Sequence, residues 1–169
     1  ALVPVCLSSQ GAAVRTGDGW AADLTAVAAF FPRLEGSPGE RDALAFITRR
    51  LVADGIADTS FDFTASDFQH SFSSCLRVDV KGGLPDTLIL AVPLDTRPDA
   101  GPGEDGSVAI AIALGILRQL RDSPPPLSVT VLFLGAEFGD TPDYPMGSTL
   151  FLRDFRPGYR AAVMYLNLT

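Results

Sequence analysis

Three stretches of the chain, Thr87 to Val92, Leu127 to Leu134 and Ala161 to Leu168, are apolar at almost every position. Strands of that kind are buried on both faces, as parallel strands are when helices cover the sheet above and below. Between the first two lies Ser107 to Leu120, apolar nearly all the way round, which predicts a crossover helix packed deep against the sheet. Ser71 to Lys81 has a different rhythm. Leu76, Val78 and Val80 alternate with Arg77, Asp79 and Lys81, so this strand has one wet face.

Helix signals fall before and after these runs. Ser37-Pro38-Gly39-Glu40 is a capping box with proline at the first helical position: the Ser37 hydroxyl accepts from the amide of Glu40 while the carboxylate reaches back. The helix it starts carries Leu44, Ile47 and Leu51 on one face and stops at Gly55, the residue type that tolerates a left-handed turn. Ala22 to Phe31 predicts an earlier helix ended by Pro32. Gly147 to Phe155 predicts a short one after a Gly139 to Pro145 loop, and Arg121 to Pro126 is a proline-rich turn. Together these elements predict an α/β fold, a three-layer α/β/α sandwich on a mainly parallel mixed sheet. The three apolar runs are its neighbouring central strands, joined by right-handed crossovers.

Size and charge narrow the function classes. With 169 residues the chain makes one packed domain, residues 1–169, with a substantial core. A net charge of −7 leaves no basic stripe for a phosphate backbone or an anionic membrane, which argues against nucleic acid as partner. No apolar stretch reaches the ~20 residues of a membrane span; the longest, Val108 to Leu120, is interrupted by Gly115, Arg118 and Gln119. Leu2 to Leu7 reads as the remainder of a trimmed signal or as a first strand, so the compartment stays open, with an exported location slightly favoured. Cys6 and Cys75 lie too far apart for a zinc motif and are either a disulfide of an exported protein or two buried thiols.

The candidate chemistry sits at the ends of the apolar runs or just beyond them, where open α/β sheets place their ligands. The tracts are Pro93-Leu94-Asp95, Gly103-Glu104-Asp105-Gly106-Ser107, Ala136-Glu137-Phe138-Gly139 and Asn167-Leu168-Thr169. Their order and spacing resemble the di-zinc aminopeptidases of the M28 peptidase family, in which they read His-x-Asp, Gly-x-x-Asp-(Asn/Gly)-x-Ser, Glu-Glu-x-Gly and Asn-Leu-Asp. Arg33 to Gly39 with the helix after it is similar to the family's entry helix, and Gly147-Ser148 to the Gly-Ser after its glutamate pair. The resemblance covers about residue 30 to the C-terminus and implies the family's zinc-peptidase fold without the second half of its domain.

That resemblance also implies how the site is altered. Asp105 matches the carboxylate that bridges the two zinc ions, Glu137 the general base, and Asp95 the residue that orients the histidine ligand. Pro93, Phe138 and Thr169 stand where the family has a histidine, a glutamate and an aspartate as ligands. Proline and phenylalanine offer no side-chain donor, a threonine hydroxyl is a poor one, and one carboxylate does not hold two zinc ions against water. The family uses zinc; here the expectation is no cofactor, a vestigial Glu137, and a non-enzymatic domain that binds a protein or peptide partner. The alternative is a working zinc hydrolase completed by residues outside the chain. A weaker option is a hard-cation site of Asp95, Glu104, Asp105 and Glu137. The strand edge at residues 161–168 is the expected place of partner binding or homo-oligomerisation.

Plainer roles stand beside these. Glu104 and Asp105 precede a helix, where carboxylates are favoured in any case. Asp95 and Glu137 can serve as backbone-bonding loop residues, and His70, the single histidine, has no second imidazole to make a site. Ser107 and Ser148 lack a neighbouring histidine in the motif order, and Asn167-Leu168-Thr169 is a chance glycosylation match at the end of a buried strand.

Overall fold

A computed structural model describes residues 19–57, 59–62, 73–103, 106–138, 146–155 and 161–165. The elements follow in the order α1 (Trp20–Ala28), α2 (Pro38–Ala53), β1 (Thr59–Asp62), β2 (Ser74–Val80), β3 (Leu84–Pro93), α3 (Ser107–Asp122), β4 (Leu127–Leu134), α4 (Met146–Phe155) and β5 (Ala161–Tyr165). The five strands form one sheet in the order β1-β2-β4-β3-β5. β3 is parallel to both its neighbours, β4 and β5, while β1 and β2 run antiparallel to each other and β2 antiparallel to β4. The three apolar runs are therefore adjacent. β5 is the outermost of the described strands rather than an interior one, and positions 166–168 of its predicted run lie outside the described residues.

Two clusters of buried side chains place the helices. Val27 of α1, Ala43, Ile47 and Leu51 of α2 and Ala109, Ile110, Ala113, Leu114 and Leu117 of α3 pack on Leu76, Val78, Leu90, Val92, Val129, Val131 and Phe133 of the sheet. The opposite face, Cys75, Ile89, Ala91, Leu132 and Leu134, is covered by Met146, Leu150 and Phe151 of α4. Alternate residues of β3 and β4 thus serve opposite layers, which is why both strands are apolar at successive positions. The architecture is the three-layer sandwich.

Local signals account for the boundaries. Ser37 caps α2 by accepting from the amide of Glu40 at 3.2 Å, but the Glu40 carboxylate reaches one residue further than a capping box does, to the amide of Gly36 at 2.7 Å. After α2 the chain turns through Gly55 in the left-handed region, φ 69°. α1 ends at Ala28, three residues before the predicted Phe31, and the chain tightens there into turns in which the Phe30 and Phe31 amides donate to the Val27 and Ala28 carbonyls ahead of Pro32. α3 starts from Gly106 at φ 69°, an N-cap residue with no side chain of its own to cap the first amides. Three helices on one face are tied by charge: Asp23 of α1, 1% exposed, accepts from Arg50 of α2 and Arg118 of α3, and Arg118 also donates to Asp54 at 2.7 Å. Among the described residues no helix is long and apolar enough to cross a membrane.

Candidate functional site

The parallel pair β3 and β4 ends in register, Pro93 opposite Leu134, and the ladder gains one more bond as the Leu94 amide donates to the Leu134 carbonyl at 2.7 Å. That pairing carries Pro93-Leu94-Asp95 and Gly135-Ala136-Glu137-Phe138 to the same end of the sheet, where Asp95 meets Glu137 from 42 residues away in sequence. Asp95 is 1% exposed, and both its oxygens are taken by the facing turn: Oδ1 accepts from the Glu137 amide at 3.1 Å and Oδ2 from the Phe138 amide at 2.8 Å. Burial pushes its carboxyl up to about 7, against those two amides, with the acidic Glu40 and Glu137 adding to the rise.

The turn itself is compact. Ala136 adopts a left-handed φ of 54°, which brings its carbonyl onto the amide of Met146 at 2.8 Å. Glu137, also buried, accepts from the Ser148 amide through Oε1 at 2.6 Å, so its carboxyl sits on the free amides that open α4. Gly135 and Gly147 meet closely there: a Cβ on Gly147 would stand 2.5 Å from the Gly135 carbonyl oxygen and 3.2 Å from Cys75 Sγ. The thiol of Cys75 is fully buried and receives the Gly135 amide at 3.4 Å; burial, with Glu137, Glu40 and Asp95 nearby, pushes it up so that it stays protonated.

Two side chains complete the site that sequence reasoning did not place there. Glu40, assigned above to a helix cap, is buried against Ser73, whose Oγ lies 2.6 Å from Oε1. Arg33 is fully buried and fastens three elements beside the C-terminal end of β3. Its Nε donates to the Leu94 carbonyl at 2.8 Å, and its Nη1 to Ser107 Oγ at 3.0 Å and to the Val27 carbonyl at 3.3 Å. Its main chain pairs with Thr96 as well, the Thr96 amide donating to the Arg33 carbonyl at 2.8 Å. The signal for Glu40 was its position in the capping box; for Arg33 it was the tract that resembles the entry helix, neither of which speaks of burial.

The structure thus brings together Pro93, Asp95, Glu137 and Phe138, and sets Ser107 and Ser148 in bonding roles toward Arg33 and Glu137. Glu104, Asp105, Asn167 and Thr169 lie outside the described residues, as do His70 and Cys6. Zinc demands about three nitrogen, sulfur or carboxylate donors converging on one point. At the ends of β3 and β4 the positions expected to supply them are a proline and a phenylalanine. The nearby Asp95 carboxylate is bonded by both oxygens to main-chain amides. Among the described residues no three histidine, cysteine, aspartate or glutamate side chains come together as a metal group. The described donor set does not fit a zinc ion.

No family model and no curated protein matches the sequence. Solved structures do match in fold. A leucine aminopeptidase precursor from Bacteroides thetaiotaomicron superposes with a TM-score of 0.74 at 21% identity, over 89% of this chain and 61% of the other. Porphyromonas gingivalis glutaminyl cyclase gives 0.77 at 20% identity, over 93% and 60%. A Zn-dependent exopeptidase from Parabacteroides distasonis gives 0.73 at 20% identity, over 89% and 61%. The chain spans about three fifths of the length of these structures. A mixed sheet between α1–α3 and α4, with its polar tracts at the ends of β3 and β4, is the M28-type fold shared by zinc exopeptidases and glutaminyl cyclases.

Proposed function

We propose that this chain keeps a zinc-exopeptidase scaffold as a binding or assembly domain and has lost hydrolysis. The observation that carries the reading is the pair Pro93 and Phe138 at the two strand ends, with Asp95 engaged by the amides of Glu137 and Phe138. A metal ion in such a site lowers the pKa of bound water from about 15.7 to about 7. Without it Glu137 has no sufficiently acidic water to deprotonate, and its carboxyl is left to hold the start of α4. The partner is a protein or peptide strand that pairs with β5, the outermost of the described strands, since an outer strand can present amides and carbonyls for a further strand to pair with. A second copy of the chain meets the same requirement.

Elemental analysis of the purified protein tests the first half, together with assays on amino-acid amides and on a peptide with N-terminal glutamine. Less than one tenth of an equivalent of zinc, neither activity, and a measurable gain of zinc affinity in the combined Pro93→His, Phe138→Glu and Thr169→Asp variant are expected. Stoichiometric zinc in the wild type, with either activity, would return the chain to the enzymes and make residues outside the described ones complete the site. Sedimentation over a concentration series tests the β5 edge; a protein that stays monomeric and captures no strand peptide there counts against it.

A further inference from the structure

α1 begins where charge alone would repel a helix. Gly19 precedes it, and a Cβ on that residue would stand 3.1 Å from Nη1 of Arg118 and 3.8 Å from Nη2 of Arg50, so the positive end of the helix dipole opens beside two guanidinium groups. Both cations have their own reason to be there: Arg50 stands in the last turn of α2 and Arg118 one turn before the end of α3, at helix ends that favour positive charge. Asp23 reverses the sign. Its side chain, 1% exposed, accepts from Arg50 Nε at 2.8 Å through Oδ1 and from Arg118 Nη2 through Oδ2. Asp54 also accepts from Arg118, at 2.7 Å, but it lies at the end of α2 and joins α2 to α3 rather than to α1.

Apolar burial adds little to that hold. Trp20, Ala21, Ala22, Thr25 and Ala28 are exposed, and Val27 is the residue of the helix that enters the core. Nine residues are too few for a helix to be stable by itself in water. The far end of α1 reaches the candidate site: the Val27 carbonyl accepts from Arg33 Nη1 at 3.3 Å, and the same guanidinium donates to the Leu94 carbonyl and Ser107 Oγ. Past α1 the chain is pinned, since the Arg33 amide donates to Thr96 Oγ1 at 3.1 Å and the Thr96 amide to the Arg33 carbonyl at 2.8 Å. A motion of α1 therefore ends at Arg33 and acts on its side chain.

We propose that α1 is an ionic strap: it opens separately from the sheet, is closed by Asp23 on Arg50 and Arg118, and on opening withdraws the Val27 carbonyl from the Arg33 fork at the C-terminal end of β3. Segments with few buried apolar contacts open at lower free energy than the core strands. The strap does not depend on whether the chain hydrolyses anything.

Amide hydrogen exchange of the whole chain, read residue by residue by NMR at neutral pH and in low urea, tests it. In the wild type the Leu24 to Ala28 amides are expected to exchange through an opening with less than about half the urea dependence of the Val129 to Phe133 amides of β4. The two sets merging into one unfolding event overturns the strap. Asp23→Asn keeps the shape and removes the charge, and is expected to speed α1 exchange at least about tenfold relative to β4. Asp42→Asn, exposed on α2, removes the same charge elsewhere and is expected to leave that ratio unchanged. Equal changes in α1 and β4 on Asp23→Asn, or none in either, overturn the ionic closure. The Thr96 amide reports the far end and is expected to exchange at least about threefold faster in Asp23→Asn, again relative to β4; a Thr96 rate that stays in place overturns the link to β3. Where Asp23→Asn does not fold, the urea series on the wild type still decides.

Discussion

Gly135→Ala probes the tightest joint of the site. A Cβ at Gly135 would stand 2.0 Å from Ser73 Oγ, 2.7 Å from Glu40 Oε1 and 2.7 Å from the Ser74 carbonyl oxygen. The Ser74 carbonyl belongs to the main chain of β2 and has no rotamer to give way. Ser73 can swing aside, but only by leaving its 2.6 Å bond with Glu40. Overpacking of this kind costs ~1–3 kcal/mol, and a buried polar group left without its partner adds ~1–3 kcal/mol. Stiffening the unfolded chain returns ~0.4–1 kcal/mol. The net loss is about 1–5 kcal/mol, and at ~2–4 °C per kcal/mol for a domain of this size the melting midpoint falls by roughly 2–20 °C. Urea unfolding at pH 6 followed by circular dichroism reads it directly. Gly83→Ala is the control, because a Cβ there meets nothing within 4 Å; it is expected to leave stability unchanged or slightly higher. A folded Gly135→Ala protein within ~0.5 kcal/mol of the wild type would refute the steric reasoning.

Arg33→Lys is expected to lower the unfolding free energy read from a urea titration by ~3 kcal/mol or more, because one ammonium cannot reproduce a fork that reaches Leu94, Val27 and Ser107 at once; a variant as stable as the wild type would contradict it. Ala136→Gly relieves a left-handed φ of 54° on a residue with a Cβ and should raise stability by ~0.5–1 kcal/mol in the same assay, unless the turn reshapes. Glu40 and Asp95 both titrate near 7 when folded, above their ordinary carboxylate values. The folded protein therefore holds protons that the unfolded chain has released, and stability should be higher at pH 5.5 than at pH 8; urea midpoints that rise across that interval would show the sign to be wrong.

Much of the fold was legible because its signals are local. The uninterrupted apolar character of β3 and β4, the all-round apolar surface of α3 and the Ser37 cap each carry their own physical cause, and the structure places them within a few residues of the expected bounds. The site was legible as a set of positions, since Pro93, Asp95, Glu137 and Phe138 are strand-end residues that the parallel register must bring together. What the sequence could not show is which carboxyls are buried. Glu40 looks like a solvent-facing capping residue until β2 and the turn after β4 close over it, and Arg33 looks like a loop cation until three carbonyl and hydroxyl oxygens surround it. Both depend on contacts between residues far apart in the chain, for which local pattern holds no sign.

The double grip of Asp95 on the Glu137 and Phe138 amides also bears on how such a domain could evolve. In a histidine–metal centre a neighbouring carboxylate must be free to accept from the ring and fix its orientation. Here each oxygen of that carboxylate already accepts from a main-chain amide, so a histidine arising at position 93 would have to share its orienting partner with the turn, and a glutamate arising at position 138 would leave the same two amides in place. Neither step alone offers selection anything to keep. On the proposed reading, in which metal chemistry has been lost, this turn would act as a ratchet: recovery would need several replacements fixed together.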